Sequence, residues 1–398
     1  MILIYILAFL IICIILFFIY IKIKYKFWVL QPVFHFYDIY YWFVNVGIIR
    51  DELPQKNRYT NFKNIITKSL ENIDKVVIKE IIMLIQLNYL RNDENKYLPK
   101  KENIIPYFKG HNAKTFISYF SEPELLIDNK TGLTIETNKI IGVITSRPLH
   151  VKIKDKEFDV YYVDYLCVNK NWRKKNIAPQ LIQTHEYNQS HSNKKISVSL
   201  FKREEELTGI IPLTVYKTYC YNMNFWGQPE NLSPGVSLLT CDNQNIFFMY
   251  NFLNEKKENF DIIIYPEMGN IIELVNTKNL YIKMLVYKNT GNIEALYIFK
   301  KTCTFIKKEK EIISLIASVK GSNIDDNEFI KGFKQSLWVL KKENKIFAYL
   351  MVEDISDNKK IINNLSIKTH PEIVTTMAYF FYNFAYNPFK SEKCLIIN

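Results

Sequence analysis

The sequence predicts an α/β protein of two similarly ordered halves, preceded by one membrane-spanning helix. Three observations predict it. Met1 to Ile21 carries no charge. Behind it, strand-like and helix-like segments follow one another twice in similar order. The composition, 48% hydrophobic and 23% charged, is that of a folded chain long enough for two ordinary cores.

Each element has its own signal. About 20 apolar residues at 1.5 Å rise cross a bilayer core, so Met1 to Ile21 reads as an anchor. A secretory signal would need a basic start, a shorter apolar run and a small-residue cleavage site, and none is present. Lys22, Lys24 and Lys26 follow at once, which places the long C-terminal part in the cytosol as a single-pass protein. Val76 to Leu90 has helical apolar spacing, and polar Glu94 to Gly110 reads as loop. Thr115 to Leu126 is mixed. Gly132 to Ile135 and Ile140 to Thr145 read as strands joined by a turn at Glu136 to Lys139. Val151 to Lys154 and Phe158 to Val168 read as further strands, Ile177 to Tyr187 as a helix and Ile196 to Phe201 as a strand. The second half offers a hairpin (Tyr281 to Tyr287, Ile293 to Lys300), a strand Ile312 to Val319, a helix Asn327 to Lys342, a strand Ile346 to Met351 and a last aromatic strand near Tyr382. A boundary between halves falls between Leu207 and Pro234.

Charge and cysteine usage narrow the chemistry. Fifty-two Lys and Arg against 40 Asp and Glu give a net charge of +12. The basic residues are scattered and no nucleic-acid motif accompanies them, so nucleic acid is not an expected partner. A polyanionic ligand or an anionic membrane face fits as well. Six cysteines and six histidines show no metal spacing, so no metal is expected. A Ser-His-Asp triad has little support.

Two segments stand out. Asp164 to Val168 is a strand end, Asn169 to Asn176 a basic loop with Arg173, Lys174 and Lys175, and Ile177-Ala178-Pro179 a helix start. A helix start has unpaired N–H groups and a positive dipole end, so this is a place for phosphates. The second segment is the end of the chain. Tyr379 to Phe384 is aromatic, and Cys394-Leu395-Ile396-Ile397-Asn398 is an apolar tail. Chain ends usually fray in water, so an apolar end implies a carboxylate drawn inside, where it can accept a proton.

These residues carry a resemblance. Asp164 to Ile182 is similar to the acyl-CoA-binding motif of the GNAT superfamily, and closer to that of glycylpeptide N-tetradecanoyltransferases, the N-myristoyltransferases, through Leu166, Cys167, Val168, Lys170, Arg173, Lys175, Ala178, Pro179, Leu181 and Ile182. Tyr25 to Val33, reading Y-K-F-W-V-L-Q-P-V, resembles a second signature of that family. Phe116 to Pro123, Gly142 to Pro148 and Tyr379 to Asn398 follow its pattern in order. The resemblance implies two tandem GNAT-like lobes of mixed, mainly antiparallel sheet flanked by helices: 1–21 the anchor, 22–206 an acyl-CoA lobe, 207–398 a peptide lobe. It implies transfer of a fatty acyl group, myristoyl above all, from acyl-CoA as co-substrate to the N-terminal glycine of a protein, with no permanently bound cofactor. Both donor and product favour membranes, which suits an anchored enzyme of lipoprotein biosynthesis.

The same resemblance implies roles. Tyr25, Lys26, Phe27 and Trp28, with Val168, Arg173, Lys174, Lys175, Asn176, Ile177, Ala178 and Pro179, would hold the CoA part. Main-chain N–H groups of Tyr165 and Leu166 would form the oxyanion hole. The terminal carboxylate of Asn398 would be the general base, its own side chain mattering little. Thr208 would contact the incoming amine. The chain departs from the pattern at Asp164, where the family has Asn, and at Asn176, where it has Arg. The stretch Lys202 to Leu207 is an insertion. These departures leave two further readings: a GNAT-type acyltransferase acting on another amine, and an inactive relative serving as a membrane-bound interaction protein.

Overall fold

The structure, a computed structural model, describes residues 1–44, 47–90, 95–127, 134–204, 209–306 and 310–398. Helix α1 (Ile2–Lys24) is exposed along its length except at Ile21, as expected of a helix apolar on every face that has no protein to bury against. A short aromatic helix, α2 (Ile39–Phe43), and strand β1 (Gly47–Ile48) lead into the body.

The first half contains β2 (Ile65–Ser69), α3 (Lys75–Asn88), β3 (Asn95–Tyr97), α4 (Lys101–Ile104), β4 (Phe116–Ile127), β5 (Thr134–Ile153), β6 (Lys156–Val168), α5 (Ile177–Ser192) and β7 (Val198–Glu204). The second contains β8 (Thr214–Asn222), β9 (Val236–Thr240), α6 (Ile246–Glu255), β10 (Ile262–Tyr265), α7 (Met268–Asn276), β11 (Leu280–Tyr287), β12 (Ile293–Ile306), β13 (Lys310–Lys320), α8 (Asp326–Glu343), β14 (Phe347–Glu353), α9 (Asn358–Lys368), β15 (Ile373–Tyr382), β16 (Phe384–Ala385) and β17 (Cys394–Ile396). Among the described residues, 15 strands join in one sheet along the path β17-β10-β5-β6-β7-β15-β8-β14-β13-β12-β11-β9, with β4 and β2 continuing from the other end of β5. The last long strand, β15, lies antiparallel between β7 and β8, at the seam of the halves. The tail strand β17 returns to the first half beside β10.

Two expectations are corrected. Glu136 to Lys139 is no turn: it lies inside β5 and pairs in register with Leu125 to Glu122 of β4. Its polarity reflects a wet sheet surface, where Lys139 pairs with Glu124 at 2.7 Å. Gly132, at the start of the strand expected there, lies outside the described residues. The stretch 95–110 is not all loop, since it forms β3, α4 and a 3-10 turn Ile105–Phe108. That turn is clamped from α7, where Asn270 Nδ2 donates to the carbonyls of Pro106, Tyr107 and Lys109. Gly110 has φ +71°, and a Cβ there would meet the Gly269 main chain at 2.4 Å, so this crossing requires glycine.

Helix α5 packs on β5, with Gly142 letting Leu181 come close. Its buried face is partly polar. His185 bridges Ser118 and Ser146 (2.7 and 2.9 Å), and burial pulls its pKa down to about 3. It is a neutral core hydrogen-bonder, not a catalytic base. Glu186 accepts from Ser190 and Ser199, and burial pushes its carboxyl up to about 7. A carboxyl with a raised folded pKa favours the fold below its unfolded value, near 4.5, and that contribution is lost as pH rises through about 7. Glu186→Gln is therefore expected to flatten the stability-against-pH curve between these values. It should also stabilise the protein at pH 8, by on the order of 3 kcal/mol. Denaturant melts of both proteins at pH 5 and pH 8 check this.

Candidate active site

The centre is a β-bulge. Along the β5–β6 pair the register runs Thr145↔Asp164 and then Val143↔Cys167, so Tyr165 and Leu166 together face one residue of β5. Tyr165 takes φ +48°, rare for an aromatic residue and costly unless the surroundings enforce it. A bulge turns main-chain groups out of the ladder and re-aims them. Tyr165 is buried and Leu166 exposed, so the bulge opens on one side to solvent. Asp164 Oδ1 accepts the Tyr165 N–H at 2.8 Å. Of the two donors expected of an oxyanion hole, one is thus held by the residue that departs from the family pattern.

Around the bulge stand groups that the sequence did not place together. Pairing aligns Asp164 with Thr145 and Tyr162 with Arg147 on β5, and Tyr379 of β15 with Lys202 of β7. Lys202 Nζ donates to both oxygens of Glu353 (3.0 and 3.1 Å), and the Tyr216 hydroxyl donates to the same carboxylate at 2.6 Å. Burial alone would lower the Lys202 ammonium, but Glu353 holds it above its ordinary value. Arg147 is 1% exposed and lies over the rings of Tyr107 and Tyr162 (5.0 and 5.2 Å), with neither Nη1 nor Nη2 hydrogen-bonded. Lys300 of β12 lies 5.0 Å from the centre of the same Tyr107 ring. Burial pulls Lys300 down to about 8. Asp164 opposes this, and Arg147 adds to it.

The tail ends in this cluster. Leu395, Ile396 and Ile397 are buried, and the Ile397 N–H donates to Ile264 at 2.8 Å. Asn398 is 4% exposed. Its main-chain oxygen accepts from Lys300 Nζ at 3.1 Å, and its Nδ2 donates to the Tyr379 hydroxyl at 3.0 Å. The side chain expected to be idle therefore has a buried partner. Burial holds the phenols of Tyr89, Tyr97, Tyr162 and Tyr165 well above their ordinary value, so none is a base at neutral pH. Cys167, beside the bulge, is pushed up to about 12 by burial, so it is no thiolate nucleophile.

The basic loop begins where β6 ends. Lys174 and Asn176 adopt left-handed backbone (φ +65° and +59°), and Asn176 caps α5 by position without a side-chain bond. The first turn of α5 has no acidic residue, and Arg173 to Asn176 are exposed. Arg173 is partly committed: its Nε donates to Val168 O at 3.3 Å and its Nη2 to Asn88 O at the end of α3. Lys175 lies 4.3 Å over Trp172. The matching place in the second half, the start of α8, carries Asp325, Asp326 and Glu328. Three carboxylates there would repel a phosphate.

The N-terminal signature sits on the flank of that half. Phe27 meets Tyr59 edge-on at 5.2 Å, and Asn61 two residues on bonds Gln180 and Thr184 of α5. Trp28 stacks on Phe201, which stacks on Phe380 of β15 (5.7 and 5.3 Å). The Tyr382 hydroxyl donates to Gln31 at 2.8 Å. Tyr25 lies beside Gly209, and Lys26 is exposed. Thr208 lies outside the described residues. Among the described residues no group of His, Cys, Asp and Glu could hold a metal.

Two similarly ordered α/β halves, a basic loop at a helix start in the first and a chain end buried beside Lys300 make up a tandem GNAT-like fold. The chain is similar over 92% of its length to the solved structure of Saccharomyces cerevisiae N-myristoyltransferase with bound myristoyl-CoA, covering 94% of that chain at a TM-score of 0.70 and 14% identity. It is also similar to a tandem GNAT protein of the clavulanic acid biosynthesis pathway, at a TM-score of 0.52 and 9% identity, covering 80% of this chain and 98% of that one. Residues 51–211 match the family model of the myristoyl-CoA:protein N-myristoyltransferase N-terminal domain. A putative glycylpeptide N-tetradecanoyltransferase of Amsacta moorei entomopoxvirus is 25% identical over 276 residues, 61% of this chain and 89% of the relative. The Plasmodium falciparum (isolate 3D7) glycylpeptide N-tetradecanoyltransferase is 29% identical over 174 residues, 41% of this chain and 38% of that enzyme. Residues 51–211 thus match the N-myristoyltransferase family model, and N-myristoyltransferases are among the relatives and solved structures that the chain is similar to.

Proposed function

We propose that this protein transfers a myristoyl group from myristoyl-CoA to the N-terminal glycine of a protein substrate. The observation that carries this reading is buried Asn398 bonded to Lys300, an ammonium that also feels Asp164 at the edge of the Tyr165–Leu166 bulge. In the reaction, a free carboxylate on Asn398 takes one proton from the glycine ammonium. The neutral amine attacks the thioester carbonyl carbon, and the carbonyl oxygen becomes an oxyanion facing the bulge N–H groups. Donors of this kind are worth roughly 3–4 kcal/mol each. The C–N bond forms, the C–S bond breaks, and the nitrogen's second proton passes to the departing sulfur, so that CoA leaves as the thiol.

Charge balance supports a carboxylate at that point. Arg147, Lys202 and Lys300 face two carboxylates, Asp164 and Glu353, and buried cations without counter-charge are costly. A negative terminus 3.1 Å from Lys300 supplies the third.

Residues 22–206 would serve the acyl-CoA and 207–398 the peptide, with β15 at their seam. The CoA diphosphate would rest at the α5 start against Lys174 and Lys175. Reversing both to Glu is expected to weaken acyl-CoA binding by on the order of 1.5–3 kcal/mol each, without unfolding, as read by calorimetry. Arg173→Glu is expected to lose stability as well, because Arg173 ties the loop to α3.

Helix α1 would span the membrane once, with Lys22, Lys24 and Lys26 holding the catalytic part on the cytosolic side, where product and donor both partition to lipid. The direct test is to equilibrate purified protein with myristoyl-CoA and offer a Gly-initiated and an Ala-initiated peptide. Mass spectrometry should find one added myristoyl group on the Gly peptide alone. Equal labelling of both, or of neither, would remove the glycine assignment.

A further inference from the structure

The segment after the anchor leaves a bare aromatic surface that acyl transfer does not use. Phe34 is buried and holds the inner side of α2 through Tyr41 and Trp42 (5.6 and 5.2 Å). The outer side faces solvent: Ile39 is 68%, Tyr40 63% and Phe43 85% exposed. Such a cluster is unusual on a soluble face and marks an interaction surface.

Its place in the fold says what covers it. Phe36 packs edge-on against Phe17 at 6.3 Å and Tyr37 against Phe18 at 6.4 Å, so the segment leans on α1 from outside the body. At 1.5 Å rise per residue, Phe17 and Phe18 lie about 6–8 Å along the helix below Lys22. If Lys22 and Lys24 mark the headgroup level, whatever touches Phe17 and Phe18 lies beneath it. Behind the segment a cavity of 720 Å³ is lined by Phe18, Ile21 and Lys22 of α1 and by Arg50. Asp38 also lines it, and its Oδ2 is taken by the His35 N–H at 2.9 Å. The cavity therefore presents cations at the depth where phosphate headgroups lie.

We propose that residues 36–44 form a second membrane contact, an aromatic belt lying in the interface of a phospholipid bilayer. Trp and Tyr favour that depth because their rings are apolar and their polar tips stay wet; the Trp42 Nε1–H already finds the Phe36 carbonyl at 3.1 Å. The belt would also fix the orientation of the catalytic body. Gln31-Pro32-Val33 lines the same cavity, and Asn383, next to β15, donates to Pro32. A body hung from α1 alone could swing. One held by α1 and the belt keeps its sheet at a set angle to the lipid that supplies the acyl donor.

This inference rests on the reading of α1 as a membrane span, and the experiment separates the two. The full chain carrying Cys13→Ser is reconstituted in vesicles of phosphatidylcholine and phosphatidylserine; the other five cysteines are buried, and the Cys13→Ser protein without an added cysteine serves as the labelling blank. An environment-sensitive fluorophore is attached in turn at Leu10→Cys, Phe43→Cys and Phe225→Cys, the last at a position 98% exposed. Lipids with a nitroxide high on the acyl chain should quench the Phe43 label, and aqueous iodide should quench it several-fold less than the Phe225 label. If Leu10 is quenched by lipid while Phe43 behaves like Phe225, the belt is refuted and the span stands. If Leu10 is also open to iodide, both fall. A Phe43 label shielded from both quenchers, together with a cross-linked dimer, would assign the patch to a second copy and overturn the proposal.

Discussion

A polar tag appended after Asn398 is expected to cut acyl transfer by about 10²–10⁴, the usual loss when a general base is removed, while acyl-CoA affinity stays unchanged. The reasoning is geometric. The tail is buried to its last residue, and its oxygen sits 3.1 Å from Lys300. A tag converts the carboxylate to a neutral amide and must also find a way out of a closed cluster. Asn398 is bonded to Lys300 and Tyr379 and not to the loop after β6, so binding of the donor should survive. Asn398→Gln keeps the carboxylate and an amide able to reach Tyr379, and is expected to retain most of the activity; Asn398→Leu keeps the carboxylate, loses that hydrogen bond, and is expected to fall between Gln and the tagged form. Stopped-flow transfer to a Gly-initiated peptide measures all three. Full activity in the tagged protein would end the assignment.

What could be read from the sequence follows the reach of local physics. The apolar α1, the amphipathic α3 and α8 and the β11–β12 hairpin each announce themselves within a short window, and the structure has all of them. The basic loop between β6 and α5 was legible for the same reason, because strand end, basic run and helix start are contiguous. Short elements were missed. Helix α7 offers nine residues and no side-chain cap, and β10 is four residues held only by its neighbours β5 and β17. Glu136 to Lys139 was misread because polarity on an exposed sheet face mimics a turn.

The charged cluster was not legible at all. Arg147, Lys202, Lys300 and Glu353 come from β5, β7, β12 and β14, and only the order of strands in the sheet brings them together. A weak signal existed. Arg147 is a charge inside the otherwise uncharged run Ile140 to Leu149, and a charge in a buried strand needs a partner or a task. The bulge gave no sign either, since Tyr165 and Leu166 are ordinary strand residues. Its φ of +48° is imposed by the surroundings.

Asp164 is where sequence and structure disagree most usefully, and Asp164→Asn is expected to raise turnover about tenfold. Its carboxylate holds the Tyr165 N–H that an oxyanion would need, and it places a negative charge beside a developing one. At about 4 Å and an effective dielectric near 20, two like charges repel by about 4 kcal/mol. Lys202 and Lys300 already offset part of this, since both ammonium groups feel Asp164, so a smaller gain is expected than the bare figure. The amide keeps an oxygen for the same N–H but binds it less strongly, so a thioester carbonyl displaces it more readily. The variant has a second signature. Asp164 raises the Lys300 pKa, so its loss should move Lys300 below about 8, and any pH-rate limb due to Lys300 should shift to lower pH. Steady-state turnover and its pH profile, wild type against variant, decide the matter. A fall of about 10²–10⁴ instead of a rise would make Asp164 the base and Asn398 a structural end.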